Sequence, residues 1–503
     1  MRGNHMGSFI GIDLGTTFSA LARIDETGRP VIVHNSDGQN LMPSCVEVEN
    51  SETVHVGSEA RQAFGLGSEN AAGRFKRKMG TSEVYKLAGQ RFTPTDLSAL
   101  VLQKLVNDAC LTIGDIEEVV VTIPANFAND AREATLQAAR KAGLNIKYII
   151  NEPTAAALGY LDRENLNLQG IYAVYDLGGG TFDISIIRVE KHEVEVLCSS
   201  GVHDLGGMDF DKKLREIVAR KYKEIATDEL EPEDYTNLEA EGDKKSLSDR
   251  NKITTRVNRT AIDITRQEFE EAISSLVTQA ELLCESTIEE AGLKVSNIRE
   301  VLCAGGSTRV PIVRESIKRM FGRDPICSVN VDEVVALGAA LYAAYKGNRS
   351  KLSDAQKERI DRLNVSECAN KYYGTIALER DMSGQPKAMN SILIEKNSKI
   401  PCSVTKSYFT GYENQTAVAC SVTECSDNET DPRFVTIRAN AELDLPPGRP
   451  AGQEIEVTFS YDANQIMRCS FVDVETQEER KLELRLATLE DSVETDINKF
   501  TVE

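Results

Sequence analysis

Three consecutive glycines, Gly178, Gly179 and Gly180, stand in "VYDLGGGTFDISI" between two apolar runs, with Asp176 before them and Thr181 and Asp183 after. A glycine triplet disfavours both helix and strand, because each residue loses much backbone freedom on folding. What it offers in return is phosphate binding. Glycine accepts φ > 0 and lets backbone N–H groups and a threonine hydroxyl approach anionic oxygens. A second stretch, "IGIDLGTTFSAL" (10–21), repeats the order strand, Asp-Leu-Gly, small-residue turn with threonine, strand. One such turn alone is an ordinary tight hairpin. Two in one chain, about 160 residues apart, point to paired turns facing each other from two lobes. Gly15, Thr16, Thr17 and Thr181 then join the glycine triplet as candidate phosphate donors. Asp13 and Asp176, at the ends of the preceding strands, would face the same phosphates. Carboxylates repel phosphate unless a cation intervenes, and Mg²⁺ bridges the two while keeping most of its waters. Asp13 and Asp176 are therefore candidate Mg²⁺-water ligands. The pattern G-x-x-x-x-G-K-[ST] is absent, so a nucleotide site here is not a P-loop.

Positioning these turns requires an α/β frame, and residues 9–350 have one. "FIGID", "EVVVTIP", "YIINEP", "IYAVYD" and "EVLCAGG" read as strands, some apolar throughout as in buried sheets. "TPTDLSALVLQKLVNDAC" reads as a helix with Thr93 as cap, Pro94 in the first turn and Asp96 reaching back. "NDAREATLQAARKAG" reads as another, with Asn129 as candidate cap and Gly143 past its end. Residues 351–367, including "SKLSDAQKERIDRLN", are charged and helix-prone and read as a linker or terminal helix. From 368 to 487 the period becomes two. In "EIEVTFSY", Ile455, Val457, Phe459 and Tyr461 alternate with polar residues, and "LPPG" and "DANQ" supply turns. This is an all-β unit, expected to be a sandwich. Residues 488–503 read as a polar tail, and residues 1–8, "MRGNHMGS", as an added leader rather than a secretion signal.

Composition limits the partners. Of 503 residues, 41% are hydrophobic and 27% charged, and the formal net charge is -21. That balance argues against nucleic-acid backbones and anionic membranes. The 11 cysteines are scattered and the histidines number 5, which suits reduced, buried thiols in the cytoplasm rather than a His-rich metal site.

The motifs "GIDLGTTFS", "NEPTAAALGY", "YDLGGGTFDIS", "DLGGMDFD" and "GGSTRVP", in this order over residues 9–345, resemble the nucleotide-binding domain of the heat-shock protein 70 family. The segment "AELDLPPGRPAGQEIEVTFSYDANQI" resembles that family's substrate-binding β-sandwich. The resemblance implies a two-lobed, actin-like ATPase domain of duplicated ribonuclease-H-like lobes, followed by the sandwich. It implies an ATP-dependent chaperone that binds ATP and ADP with Mg²⁺ and a monovalent cation such as K⁺. Its expected partners are apolar segments of unfolded proteins, J-domain co-chaperones and nucleotide-exchange factors. Lys76 matches the lysine that contacts the attacking water and γ-phosphate. Phosphoryl transfer to water needs such positioning and charge neutralisation more than covalent chemistry. Glu152 would orient a water, with Asp176 and Thr181 beside it. Asp183, like Asp13, is a candidate monovalent-cation ligand. Gly206 and Gly207, in "DLGGMDFD", flank the nucleotide. Glu241, Lys244 and Lys245, in "EGDKKSLS", are expected toward the ribose and Ser248 toward the adenine edge. Gly305, Gly306, Ser307 and Arg309 in "GGSTRVP", with Asp332, are expected around the purine.

The chain departs from that pattern in four places. Met208 replaces the usual glutamate. The apolar interdomain segment is replaced by "ERIDRLNV", where burying Arg359, Asp361 or Arg362 unpaired would be costly. The peptide-contacting loops diverge, and no helical lid follows in this sequence. An alternative reading is therefore a partner-docking or regulatory co-chaperone with weak or uncoupled ATPase.

Overall fold

The computed structural model describes every residue except 1–7, 115, 147, 165–168, 191–192, 232, 328–329, 362, 381–384, 463–465 and 484–494. The chain forms two units, Met1–Asn364 with Thr488–Glu503, and Val365–Ala487.

Two sheets of the first unit repeat one topology. In one, Ser8–Asp13 is central, parallel to Ile116–Ile123 and antiparallel to Phe18–Ile24, with Tyr148–Asn151 and Pro30–Val33 outside them. In the other, Gly170–Leu177 takes that place, parallel to Ile298–Ala304 and antiparallel to Phe182–Glu190, which pairs onward with Glu193–Val202. A single parallel bridge from Leu302 to Ile326 stands where the first sheet has its outer strand. The two Asp-Leu-Gly turns thus leave equivalent strands at equivalent ends. Apolar runs such as Val119, Val120 and Val121 are buried, as expected for strands covered on both faces.

The helix Pro94–Ile113 has the expected reciprocal cap between Thr93 and Asp96. The helix Asn129–Lys141 corrects the other expectation. Ala128 is its cap residue, and Asn129 lies buried inside the first turn. The preceding segment is closed by backbone bonds instead, with Phe127 N–H donating to the Pro124 carbonyl. Glu152–Glu164 and Val334–Lys346 pack through glycines. A Cβ on Gly338 would lie 1.7 Å from the Ala155 carbonyl oxygen, and one on Gly159 would lie 2.5 Å from that of Val334. Gly11 admits the second helix against its strand in the same way, its Cβ position falling 2.1 Å from Ala340 N.

One stretch differs from its sequence reading, and another takes the helical alternative of its reading. Residues 495–503 are not a loose polar tail. Thr501–Val502 pairs in parallel with Thr53–Val56, and Ile497 and Phe500 are buried. These two apolar residues, three apart across the turn Ile497–Lys499, are diluted by polar neighbours in the sequence. Phe500 stacks 5.8 Å from Phe92. Within the expected linker, Asp354–Ile360 is a helix capped by Ser353, with Leu352 and Ile360 buried in the first unit. Arg359 is not left unpaired, because its Nε donates to Asp162 Oδ1 at 2.6 Å. Arg362 lies outside the described residues.

The second unit has two four-stranded antiparallel sheets. Their orders are Pro386–Ile394, Tyr372–Arg380, Ala417–Cys425, Thr436–Asp444, and Cys402–Phe409, Glu454–Tyr461, Met467–Asp473, Glu479–Glu483. Both sheets feed one core, in which Tyr373, Val422 and Leu443 meet Ile455, Val457, Phe459 and Phe471. Three residues of "DANQ", 463–465, fall outside the described residues. Among the described residues no helix is long and apolar enough to cross a membrane.

Candidate functional site

The two Asp-Leu-Gly turns and two further glycine turns close on one cavity of about 820 Å³ in the first unit. The chain approaches itself too closely there for side chains. A Cβ on Gly179 would lie 2.0 Å from Thr17 Oγ1, and one on Gly180 would lie 2.6 Å from Thr16 Cγ2. One on Gly206 would lie 2.7 Å from Gly180 N, and one on Gly207 would lie 2.5 Å from Ser307 Oγ. Gly15 is similarly restricted, with its Cβ position 1.9 Å from the Phe18 carbonyl oxygen. Of the two reasons expected for these glycines, close approach and positive φ, the first is the one that operates at most of them. Of the candidate site glycines, Gly305 alone has positive φ, at 79°. Of the others, all but Gly178, whose Cβ position meets nothing nearer than 3.8 Å, are needed for close approach and not for left-handed backbone.

The cavity wall includes Asp13, Gly15, Thr16, Thr17, Lys76, Glu152, Asp176, the glycine triplet and Thr181. Lys76 is on the short 3₁₀ turn Phe75–Lys78 and is buried. Its Nζ donates to Glu152 Oε1 at 2.5 Å, and Glu152 is the first residue of its helix. Asp13 accepts from Thr122 Oγ1 at 2.9 Å. Asp183 sits opposite Asp176 in the strand register and is fully buried, behind the wall rather than in it. Gly206 likewise supports the triplet from behind.

Four carboxyls and one ammonium therefore share one corner, all of them buried except the partly exposed Asp13. Burial, then the nearby Glu152 charge, push Asp13 up to about 7 and Asp183 up to about 8. The same causes, with Asp183 added, hold Asp176 well above the usual carboxylate range. Burial opposes the charge on Lys76, but Glu152 and Asp13 outweigh it and raise its pKa. Acids crowded in this way favour a bound cation, which would restore them to their charged form. Asp183 Oδ1 and Thr17 Oγ1 are buried with no hydrogen-bond partner among the described residues. The open carboxylate oxygen suits a hydrated cation as acceptor, and the open hydroxyl suits a phosphate oxygen as donor. Among the described residues no three acids, histidines or cysteines converge to enclose a metal directly.

The opposite end of the cavity is lined by Glu241, Lys244, Lys245, Ser248, Gly305, Gly306, Ser307, Arg309 and Asp332. Arg309, half exposed, pairs with Asp332 at 2.7 Å and donates to Asn330 at 2.7 Å. Its guanidinium plane is thereby steadied at the rim. Gly306 abuts Asp332, its Cβ position 2.7 Å from Oδ1. Ser307 Oγ donates to the Gly178 carbonyl at 2.8 Å, tying this end to the triplet. Lys244 is buried, 2.8 Å from Asp211 and donating to the Gly207 carbonyl at 2.8 Å. Glu241 pairs with Lys245 at 2.7 Å and with Arg61 on the helix Ser58–Gly65. Ser248 Oγ donates back to the Lys244 carbonyl at 3.1 Å. Met208 lines the wall, and its N–H donates to the Gly179 carbonyl at 2.8 Å.

Sequence reasoning missed Arg314 in the cavity wall and two arginines that brace it. Arg77 donates to the Gly180 carbonyl and to Asp209 at 2.8 Å. Its only signal was its place beside Lys76 in "RFKRKMG". Arg61, 4.5 Å over the Phe18 ring as well as on Glu241, had no local signal, because its partner is distant in sequence. The helix pair that fixes Glu152 did have one. Ala-Leu-Gly recurs at 157–159 and 336–338, and both glycines are contact points.

A family model described as Hsp70 protein matches residues 9–503.

Proposed function

The chain belongs to the Hsp70 family, and from that premise we propose that it is an ATP-dependent molecular chaperone, hydrolysing ATP in the first unit and binding apolar peptide segments with the second. The repeated sheet topology supports reading the first unit as two actin-like, ribonuclease-H-like lobes, and the shared core of the two four-stranded sheets supports reading the second as a β-sandwich. The observation that carries the proposal is the cavity itself, where two facing glycine turns meet three buried acids, the partly buried Asp13 and one buried lysine.

The proposed roles follow from that chemistry. The backbone of Gly15 and the glycine triplet, with Thr16, Thr17 and Thr181, would hold the phosphates. Lys76, oriented by Glu152, would hold the attacking water against the γ-phosphate. Asp13, Asp176 and Asp183 would hold hydrated Mg²⁺ and K⁺. When bound, Mg²⁺ supplies neutralisation of the phosphate charge that develops in transfer. Arg309 and Asp332 would border the adenine, and Glu241, Lys244, Lys245 and Ser248 the nucleoside. On the second unit, Leu378, Phe409, Phe434 and Ile437 are exposed. Large apolar side chains in water suit a peptide-binding surface. J-domain and nucleotide-exchange partners, and a cytoplasmic setting, come with this reading.

The second reading, a regulatory or partner-docking member with weak or uncoupled ATPase, is favoured by one observation. The segment before the unit boundary is a charged helix rather than an apolar strand. ATP hydrolysis measured with and without an apolar peptide separates the two. Stimulation by peptide is expected from the first reading. Absence of hydrolysis, or a rate indifferent to peptide, would favour the second.

A further inference from the structure

Two thiols lie directly behind the cavity wall, outside the machinery described above. Cys303 is the penultimate residue of the strand Ile298–Ala304. Leu302 bridges in parallel to Ile326, Cys303 N–H donates to the Ile326 carbonyl at 3.1 Å, and Ile326 N–H donates to the Val301 carbonyl at 2.7 Å. The next residues, Cys303 and Cys327, are therefore neighbours across the strands with side chains on one face. Paired strands stand ~4.8 Å apart, inside the Cα range that a disulfide spans. The two thiols hydrogen-bond each other, and both are free. Cys303 is fully buried, whereas Cys327 is partly exposed.

We infer that Cys303 and Cys327 form a peroxide-reactive dithiol site, with Cys327 attacking and Cys303 resolving. The chemical environment supports the order. The Cys303 hydrogen bond, with Arg314 and Arg309 nearby, draws the Cys327 thiol down to about 7 against the effect of burial. Burial instead pushes the thiols of Cys45, Cys284, Cys420 and Cys469 up. A thiolate near neutral pH with access to solvent is the reactive form. In the first step the Cys327 sulfur attacks one oxygen of a hydroperoxide. The O–O bond breaks, an alcohol or water leaves with a proton, and Cys327 becomes a sulfenic acid, oxidised by two electrons. In the second step the Cys303 sulfur attacks the Cys327 sulfur. The S–O bond breaks, and hydroxide leaves as water with the Cys303 proton. Two thiols and one hydroperoxide thus yield one disulfide, one alcohol or water, and one water. The bond would form two residues before Gly305, tying down the strand that ends at the cavity.

The test reads the thiols and is independent of nucleotide. The reduced full-length chain is treated with hydrogen peroxide, alkylated, digested and weighed. The expected product is a peptide pair joined through Cys303 and Cys327, two hydrogens lighter than the separate thiols and released by dithiothreitol. Cys327→Ser is expected to lose that product entirely. Cys303→Ala is expected to leave a sulfenic acid on Cys327, captured by dimedone. The assignment is overturned if both cysteines alkylate after peroxide as they do before it. It is equally overturned if Cys327 proceeds to sulfinic acid in the native chain without any cross-link.

Discussion

Lys76 faces Glu152 directly and Asp13, Asp176 and Asp183 at longer range, so its removal has two separable effects. The acids lose the charge that opposes their protonation, and they can meet the loss by staying neutral or by binding a cation. In the proposed mechanism the attacking water loses its positioning group. Lys76→Ala is therefore expected to bind ATP while single-turnover hydrolysis falls by about 10²-fold or more, the usual scale for one electrostatic contact in a transition state. Hydrolysis at the native rate would remove Lys76 from the reaction. In the sequence, Lys76 is one cation in a basic run, and solvation is the ordinary fate of such a run. Only the family motif singles it out there. Burial and the Glu152 bond single it out in the fold, because a desolvated ammonium needs a partner.

Short turns and paired helices, rather than whole domains, hold the site. The Asp-Leu-Gly repeat was legible because strand, turn and strand are local. Which atoms crowd the triplet was not, since Thr16 and Thr17 lie far along the chain from Gly179 and Gly180. The cap at Asn129 failed as well. Propensity allowed it, but the helix begins one residue earlier than a cap there would require, with Ala128 at the cap position. The C-terminal element makes the point most directly. Ile497 and Phe500 are buried against the first unit, and Thr501–Val502 covers the edge of Thr53–Val56. That strand leads into the helix carrying Arg61. Phe500→Ala is expected to destabilise the first unit by about 3 kcal/mol, the low end for a buried phenylalanine, measured by denaturant unfolding. An unchanged midpoint would mean that this segment adds nothing to the unit.

For the whole molecule the question is coupling between nucleotide and peptide. The family's chemistry needs the first unit's state to alter the second unit's affinity, a coupling that typically spans 5- to 150-fold. Here the chain leaves the first unit through a charged helix held by the Arg359–Asp162 pair. The affinity for a labelled apolar peptide is expected to fall about 5-fold from ADP to ATP, the low end of that range. Equal affinities in the two states would favour the uncoupled reading. The sequence by itself determined the α/β and all-β division, the duplicated turns, the motif order that marks the family and most of the polar and glycine residues of the cavity wall, but not its apolar members such as Phe18, Leu41, Val310 and Val335. These are signals of period, spacing and local backbone demand, and they survive in one dimension. The tertiary structure alone decided which acids share one corner with Lys76, which arginines cross the cleft, why the glycines must lack side chains, that two thiols adjoin, and where residues 495–503 return. Each depends on burial or on contact between distant segments, and neither quantity exists until the chain is packed.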